Sequence, residues 1–194
     1  MSLRHTSLVL IFVFAAAFSF AQNANLQQPD KEVAVLDTTM GKIVLEFFPN
    51  AAPKHVNNFK ELAKGGFYNG TKFHRVIPGF MIQGGDPNSK DADRSNDGTG
   101  NSGKNVPAEF NSISHKRGIL SMARSSDPNS ASCQFFIVVK DSTFLDQQYS
   151  AFGRVTQGMD VADKIVNVKR DAKDNPISPI TITKVTIEPR PAGK

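Results

Sequence analysis

The sequence predicts a mostly β domain whose strands close into an antiparallel barrel. Three observations carry that prediction. Short runs rich in β-branched and aromatic residues recur along the chain, from VAV at 33–35 to ITITKVTI at 180–187. Turn residues separate these runs frequently, and only two stretches carry helical spacing. Many short strands, few helices and frequent turns favour a closed antiparallel barrel over alternating β-α-β units.

The elements follow in order. Residues 1–21 read as a cleavable signal peptide: a short basic start, the apolar run LVLIFVFAAAFSF at 8–20, and small residues at Ser19 and Ala21 before Gln22. That run is short for a membrane span, which needs ~20 residues, so an uncleaved anchor is the weaker alternative. No cysteine follows it, which argues against a lipoprotein. The leader points to export, with the periplasm as first expectation and secretion as second. Residues 22–31 form a polar, flexible lead-in, residues 32–188 the folded domain, and residues 189–194 a frayed tail. Within the domain, Val33–Val35 and Ile43–Phe48 flank Thr39-Met40-Gly41-Lys42 as a hairpin. Pro53 opens a helix whose apolar face is Val56, Phe59, Leu62 and Ala63 and which stops at Gly65-Gly66; His55 is expected on its surface. Strands are expected at Lys72–Ile77, Phe80–Gln83, Gly118–Ala123, Phe135–Val139 and Ala151–Val155. A second helix is expected at Met159–Val166, and the alternating run Ile180–Ile187 should be a final strand.

Composition bounds the function. The 194 residues fit one domain, and 15 Phe can fill a sizeable core. The net charge is +5 and the pI about 9.4, but the basic residues are scattered apart from Lys169-Arg170 and the tail. That is a solvated surface and not a nucleic-acid footprint. Cys133 is the single cysteine, so no internal disulfide is possible, and its apolar neighbourhood reads as a small buried residue. DPNS occurs at 86–89 and at 127–130, in both places as turn chemistry. In the polar loop Asn88–Asn105, Asp93-x-Ser95-x-Asp97-Gly98 resembles the start of a calcium-binding EF-hand loop. Lys104 stands where such a site needs a bidentate glutamate, and the reading is a solvated loop.

No hydrolase or metal motif is present, and His55, His74 and His115 have no ligand spacing around them. His74 reads as a core or edge histidine. One reaction class needs neither nucleophile nor metal: rotation about an X-Pro bond, whose barrier of ~18–20 kcal/mol is amide resonance. In the twisted state the imide nitrogen regains its lone pair and accepts a hydrogen bond. The parts required are an apolar cup for the proline ring, one fixed donor, and polar groups that grip the flanking backbone. The stretch FHRVIPGFMIQGGDP, 73–87, holds such parts: Arg75, Phe80, Met81 and Gln83.

That stretch strongly resembles the signature of the cyclophilins. Leu120–Ile137, Phe144-Leu145-Asp146 and Ala151–Val155 resemble further blocks of the family, and the likeness runs from about residue 33 to 188. The resemblance implies an eight-stranded barrel capped by two helices, and peptidyl-prolyl cis-trans isomerase activity without a cofactor or metal. By motif, Arg75 is implied to donate to the prolyl nitrogen, with Phe80, Met81, Phe136 and Leu145 as the proline cup. Gln83 is implied to hold Arg75 and the substrate carbonyl. Ala123 and Arg124 line the backbone-binding edge with Gln134 beside it, and Phe144 and Tyr149 stand at the rim. Phe144 replaces a frequent tryptophan, which implies weak cyclosporin binding. Arg124 replaces the asparagine of eukaryotic members, and one extra residue follows it. Both features are similar to exported bacterial cyclophilins. The implied partners are proline-containing, unfolded or partly folded exported polypeptides, and a monomer is expected. The alternative is a proline-peptide binding module or holdase with little turnover; an intact Arg75 favours the enzyme.

Overall fold

A computed structural model of the chain describes residues 22 and 24–191; the expected signal peptide and the last residues of the tail lie outside the described residues. Strands β1 (Glu32–Thr38) and β2 (Gly41–Phe47) form the expected hairpin. Thr38 locks its turn: Met40 N donates to the Thr38 hydroxyl (3.1 Å), and that hydroxyl donates to Gly41 O (2.6 Å). Helix α1 (Pro53–Lys64) starts on the proline, where a missing N–H costs nothing. Ala52 offers no side-chain cap, and the carboxylate of Glu109 takes that role by accepting from Lys54 N (3.1 Å) and His55 N (3.0 Å). Glycines 65 and 66 follow as expected.

The remaining strands are β3 (Arg75–Ile77), β4 (Met81–Gly84), β5 (Ile119–Met122), β6 (Phe135–Val138), β7 (Ala151–Gln157) and β8 (Ile182–Pro189). Helix α2 spans Met159–Val166, the predicted residues. All eight strands pair antiparallel in the order β3-β4-β6-β5-β7-β2-β1-β8. The predicted closed barrel is corrected here: the sheet is an open half-barrel with β3 and β8 as its two ends. β3 is only three residues long and pairs with β4 alone. Just ahead of β3 and β8 the backbones meet in one bridge, Lys72 with Thr181, supported by Phe73 N to Ile180 O (3.0 Å) and Ile182 N to Thr71 O (2.8 Å).

The apolar run at 180–187 is less regular than a plain alternation. Ile180 and Ile182 are even-numbered, whereas Val185 and Ile187 are odd-numbered. A β-bulge opposite Asp37 and Thr38 absorbs this change of phase, because one extra residue turns the later side chains back to the same face. The main core lies inside the curled sheet, around Leu36, Leu45, Phe47, Phe59, Tyr68, Phe135 and Phe152. α1 packs on β7 and β8, and α2 on β2, β3 and β4.

One reading changes at a side chain, and the domain's margins carry contacts of their own. His55 is fully buried, not on the surface, because its Nδ1 meets Glu109 Oε2 at 2.7 Å. In the lead-in, residues 24–26 are helical, Asn50 Nδ2 donates to Asn25 O (3.0 Å), and Lys60 pairs with Asp30. The expected tail begins as part of β8, and Arg190 N donates to Lys31 O (2.7 Å). Among the described residues no helix is long and apolar enough to cross a membrane.

Candidate active site

Strands alternate their side chains between two faces, and this period builds the site. In β4, Ile82 enters the main core, and in β6 Phe135 and Ile137 do the same. Met81, Phe136 and Val138 belong instead to a second apolar cluster on the other face. The register then sets one row across five strands: Arg75 opposite Gln83, Gln83 opposite Phe136, Phe136 opposite Ser121, and Ser121 opposite Ala151. Residues directly opposite share a face. Parity explains why one arginine and one glutamine stand among apolar residues: Val76 and Ile82 fill the main core while Arg75, Met81 and Gln83 face away from it, and Phe73, ahead of β3, also enters the core. The turn between β3 and β4 uses Pro78 and then Gly79 at φ 74°, closed by Phe80 N to Ile77 O (3.0 Å). This is a type II turn, whose third residue needs a positive φ and hence glycine.

Of the eleven predicted site residues, all but Gln134 line one cavity of about 330 Å³. Its floor is buried apolar surface: Met81, Phe136 (5 % exposed) and Leu145. Its rim holds Phe80 against Phe144, ring centroids 5.4 Å apart, and Tyr149 edge-on to Phe136 at 5.8 Å. Phe144 is 65 % exposed and belongs to the 3-10 turn Thr143–Leu145. Arg75 is exposed, and its guanidinium makes no ion pair or hydrogen bond among the described residues. Gln83 does not hold Arg75 here; its Nε2 donates to Gln134 Oε1 (2.9 Å).

Gln134 lines a second cavity of about 340 Å³, which shares Gln83, Ala123 and Arg124 with the first. Its Nε2 donates to Gly98 O and Gly100 O, both at 2.9 Å. The long polar loop is thus tied to the site's edge. Other bonds hold it as well: Arg94 pairs with Asp171 (2.8 Å), and Asn175 Nδ2 donates to Asp97 Oδ2 (2.6 Å). Asp93 accepts from Ser95 within the loop and Asp97 from Asn175 outside it, so both aspartates of the calcium-like stretch are engaged by protein donors. Among the described residues no group of three or more His, Cys, Asp or Glu is arranged to hold a metal ion.

One constellation escaped sequence reasoning. Asp146 Oδ1 lies 3.0 Å from His115 Nδ1, and His115 Nε2 lies 3.0 Å from the Ser121 hydroxyl. The carboxylate only accepts, so Nδ1 carries the proton and Nε2 accepts from Ser121. These are the distances of a hydrolytic triad, yet Ser121 is 0 % exposed and lines neither cavity. Burial keeps the His115 pKa below its ordinary value, against the pull of Asp146. Burial acts to raise the Asp146 pKa, but hydrogen bonds from His115 and Ser114 outweigh it and hold the carboxyl below its usual range. The neutral His115 ring stacks on Phe136, centroids 6.2 Å apart. It is a backing for the cup floor. His74 is also buried, and neither ring nitrogen has a hydrogen-bond partner among the described residues. Burial pushes the Cys133 thiol up to about 12, which makes it inert.

The cavity thus combines an apolar floor with a guanidinium that has no partner among the described residues, and known proteins resemble the chain in sequence and fold. The family model described as "Cyclophilin type peptidyl-prolyl cis-trans isomerase/CLD" matches residues 33–187. A "Probable peptidyl-prolyl cis-trans isomerase" of Brucella abortus is 41% identical over 193 residues, covering 97% of this chain and 98% of the relative. A peptidyl-prolyl cis-trans isomerase of Acinetobacter baylyi is 43% identical over 164 residues, covering 79% of this chain and 84% of its own. A cyclophilin type isomerase of Cryptosporidium parvum, solved in the presence of the dipeptide ala-pro, superposes with a TM-score of 0.74 at 32% identity, covering 81% of this chain and 99% of that one. The matched model spans nearly all of the described domain, cup and Arg75 included, and the chain belongs to the cyclophilin-type peptidyl-prolyl cis-trans isomerase family.

Proposed function

We propose that this isomerase turns X-Pro bonds of exported proteins by a hydrogen bond from Arg75 to the prolyl nitrogen while the ring sits on Met81, Phe136 and Leu145. The observation that carries the reading is the unpaired guanidinium in the same cavity as the apolar floor. A donor without an internal partner breaks no protein hydrogen bond when it turns to the substrate and gives up only water. Phe80 and Phe144 close one side of the cup, and Tyr149 the other. The amide of Gln83, directly across from Arg75, is free on its oxygen side to orient Arg75 or water once substrate is bound, and the edge at Ala123 and Arg124 takes the flanking backbone.

Magnitudes limit what Arg75 does alone. An acceleration of about a hundred-thousand-fold requires roughly 7 kcal/mol. A charged hydrogen bond supplies about 1.5–3 kcal/mol. The remainder comes from preferential binding of the twisted bond in a dry cup, where the less charge-separated state is favoured. Export of the clients rests on the leader at residues 1–21, and weak cyclosporin binding rests on the missing N–H of Phe144.

The test is relaxation of a cis-proline peptide, followed without a coupled protease, for the chain from residue 22 and for Arg75→Ala. The mutant should lose roughly 10- to 150-fold in kcat/KM, the equivalent of one charged hydrogen bond, with peptide affinity falling much less. Equal loss of rate and affinity removes Arg75 from the chemistry. A wild type that binds the peptide but relaxes it no faster than buffer is a binding module.

A further inference from the structure

The arginines of this domain divide into two groups. Arg94, Arg117, Arg154, Arg170 and Arg190 each face a carboxylate, of Asp171, Asp163, Glu46, Asp174 and Glu46 in turn. Among the described residues only Arg75 and Arg124 have no carboxylate partner. Both line the proline cup, and they are the only charged residues lining it. Arg124 also lines the adjoining cavity, where it is the only charged residue. The two cavities together therefore hold two positive charges and no negative one.

Arg124 is held in place by neutral groups. Its Nε and Nη2 both donate to Gln148 O (3.1 Å), and Nη1 donates to Ser125 O (2.8 Å) and Ser126 O (3.2 Å). The guanidinium lies over the Tyr149 ring, 4.6 Å from its centroid. Carbonyl oxygens and a ring face fix the group and take four of its five N–H bonds, but they leave its full charge in place. A charge held still costs little entropy when a ligand meets it. The lining around it in the second cavity is hydroxyls, amides and glycines, which suits a polar side chain and not an apolar one.

The geometry points to a preference for acidic proline peptides, with Arg124 as the residue that sets it; this rests on the proline-cup reading above. In an extended peptide, side chains two residues apart lie on the same side about 7 Å from each other. With proline in the cup, an Asp or Glu two positions away falls at the adjoining cavity beside Arg124. Arg75 adds to the same field and stays free for the proline.

The experiment compares three peptides that differ only in Glu, Gln or Lys two positions from the proline, with one set before it and one set after. On one of the two sides, kcat/KM should run Glu above Gln above Lys, with about tenfold between the extremes at low salt. The order should shrink to under about threefold at 0.5 M salt, where charges are screened within a few ångströms. Arg124→Gln should lose most of the preference, and Arg124→Lys should keep most of it, since the charge remains although the carbonyl clamp does not. Calorimetric binding of the Glu and Lys peptides reads the same order without turnover. Equal rates and affinities for all three peptides on both sides overturn the inference while leaving the isomerase reading intact. A preference that ignores both salt and Arg124→Gln also overturns it. Absence of turnover with every peptide is the different result that sinks the catalytic reading, and the binding order then still decides the role of Arg124.

Discussion

Replacing His115 by phenylalanine keeps a ring behind Phe136 but removes two hydrogen bonds, to Asp146 and to Ser121, each 3.0 Å long. The two partners respond differently. Asp146 is partly exposed and keeps the bonds from His115 N and the Ser114 hydroxyl, both 2.7 Å, so it rehydrates at small cost. The Ser121 hydroxyl is fully buried and has no other hydrogen-bond partner among the described residues, so it is left stranded. Two lost bonds cost about 1 kcal/mol each, and a stranded buried hydroxyl about 1–3 kcal/mol more. His115→Phe should therefore destabilise by roughly 3–5 kcal/mol, a fall in Tm on the order of 10 °C for a domain of this size. Ser121→Ala alone should cost about 1–2 kcal/mol. In the double variant no hydroxyl is stranded and the shared bond is lost only once, so its cost should fall short of the sum by about 2–5 kcal/mol. Urea unfolding of the four proteins measures this coupling. Additivity within about 0.5 kcal/mol would refute the reasoning, because uncoupled sites add to that precision.

Two further outcomes follow from burial. His55, His74 and His115 all have pKa values lowered by burial in the folded chain. The unfolded chain thus binds more protons between each folded value and about pH 6.5, so stability is full above pH 6.5 and falls as pH drops through that window, by roughly 3–4 kcal/mol per unit where all three contribute. Urea midpoints from pH 7.5 to pH 5 check the sign, and a flat profile contradicts it. Cys133, buried with its thiol pushed up to about 12, should resist a thiol reagent at pH 8 in the folded protein and react fully once urea unfolds it. Rapid labelling of the native chain would show that the site opens locally.

The local features were legible because their causes are local. Pro53 and Gly65 bound a helix wherever they stand around an apolar face, and Met159–Val166 carries its own 3.6 period. The cup was legible from an ordered stretch whose parity puts Arg75, Met81 and Gln83 on one face. What escaped depends on partners far along the chain. Nothing near His55 announces Glu109, which lies 54 residues away and both caps α1 and pairs with the buried ring through Nδ1. His115, Ser121 and Asp146 meet only because β5, the segment before it and the turn after β6 are brought to one place by the sheet. The closed barrel failed for a related reason. Strand content can be read from composition, but whether the two end strands pair depends on their lengths and positions, and β3 is too short to reach along β8.

The same long-range contacts explain how the site can exist on the outer face at all. Met81 and Phe136 point away from the main core, where a bare sheet would leave them in water. They are buried because Ile113 and Leu145, from two separate cover segments, pack over them in the second cluster. Each cover segment is short and has little core of its own, so something must fasten the two together. Asp146 does this: one carboxylate accepts from the Ser114 hydroxyl, from His115 N and from the His115 ring. Ser142 N adds a bond back to His115 O at 2.8 Å. The carboxylate therefore sits outside the cup but governs its floor. Its position follows from a general requirement, that a dry apolar pocket on a sheet's outer face needs a cover, and that a cover made of loops needs polar bonds to hold it where apolar area is scarce.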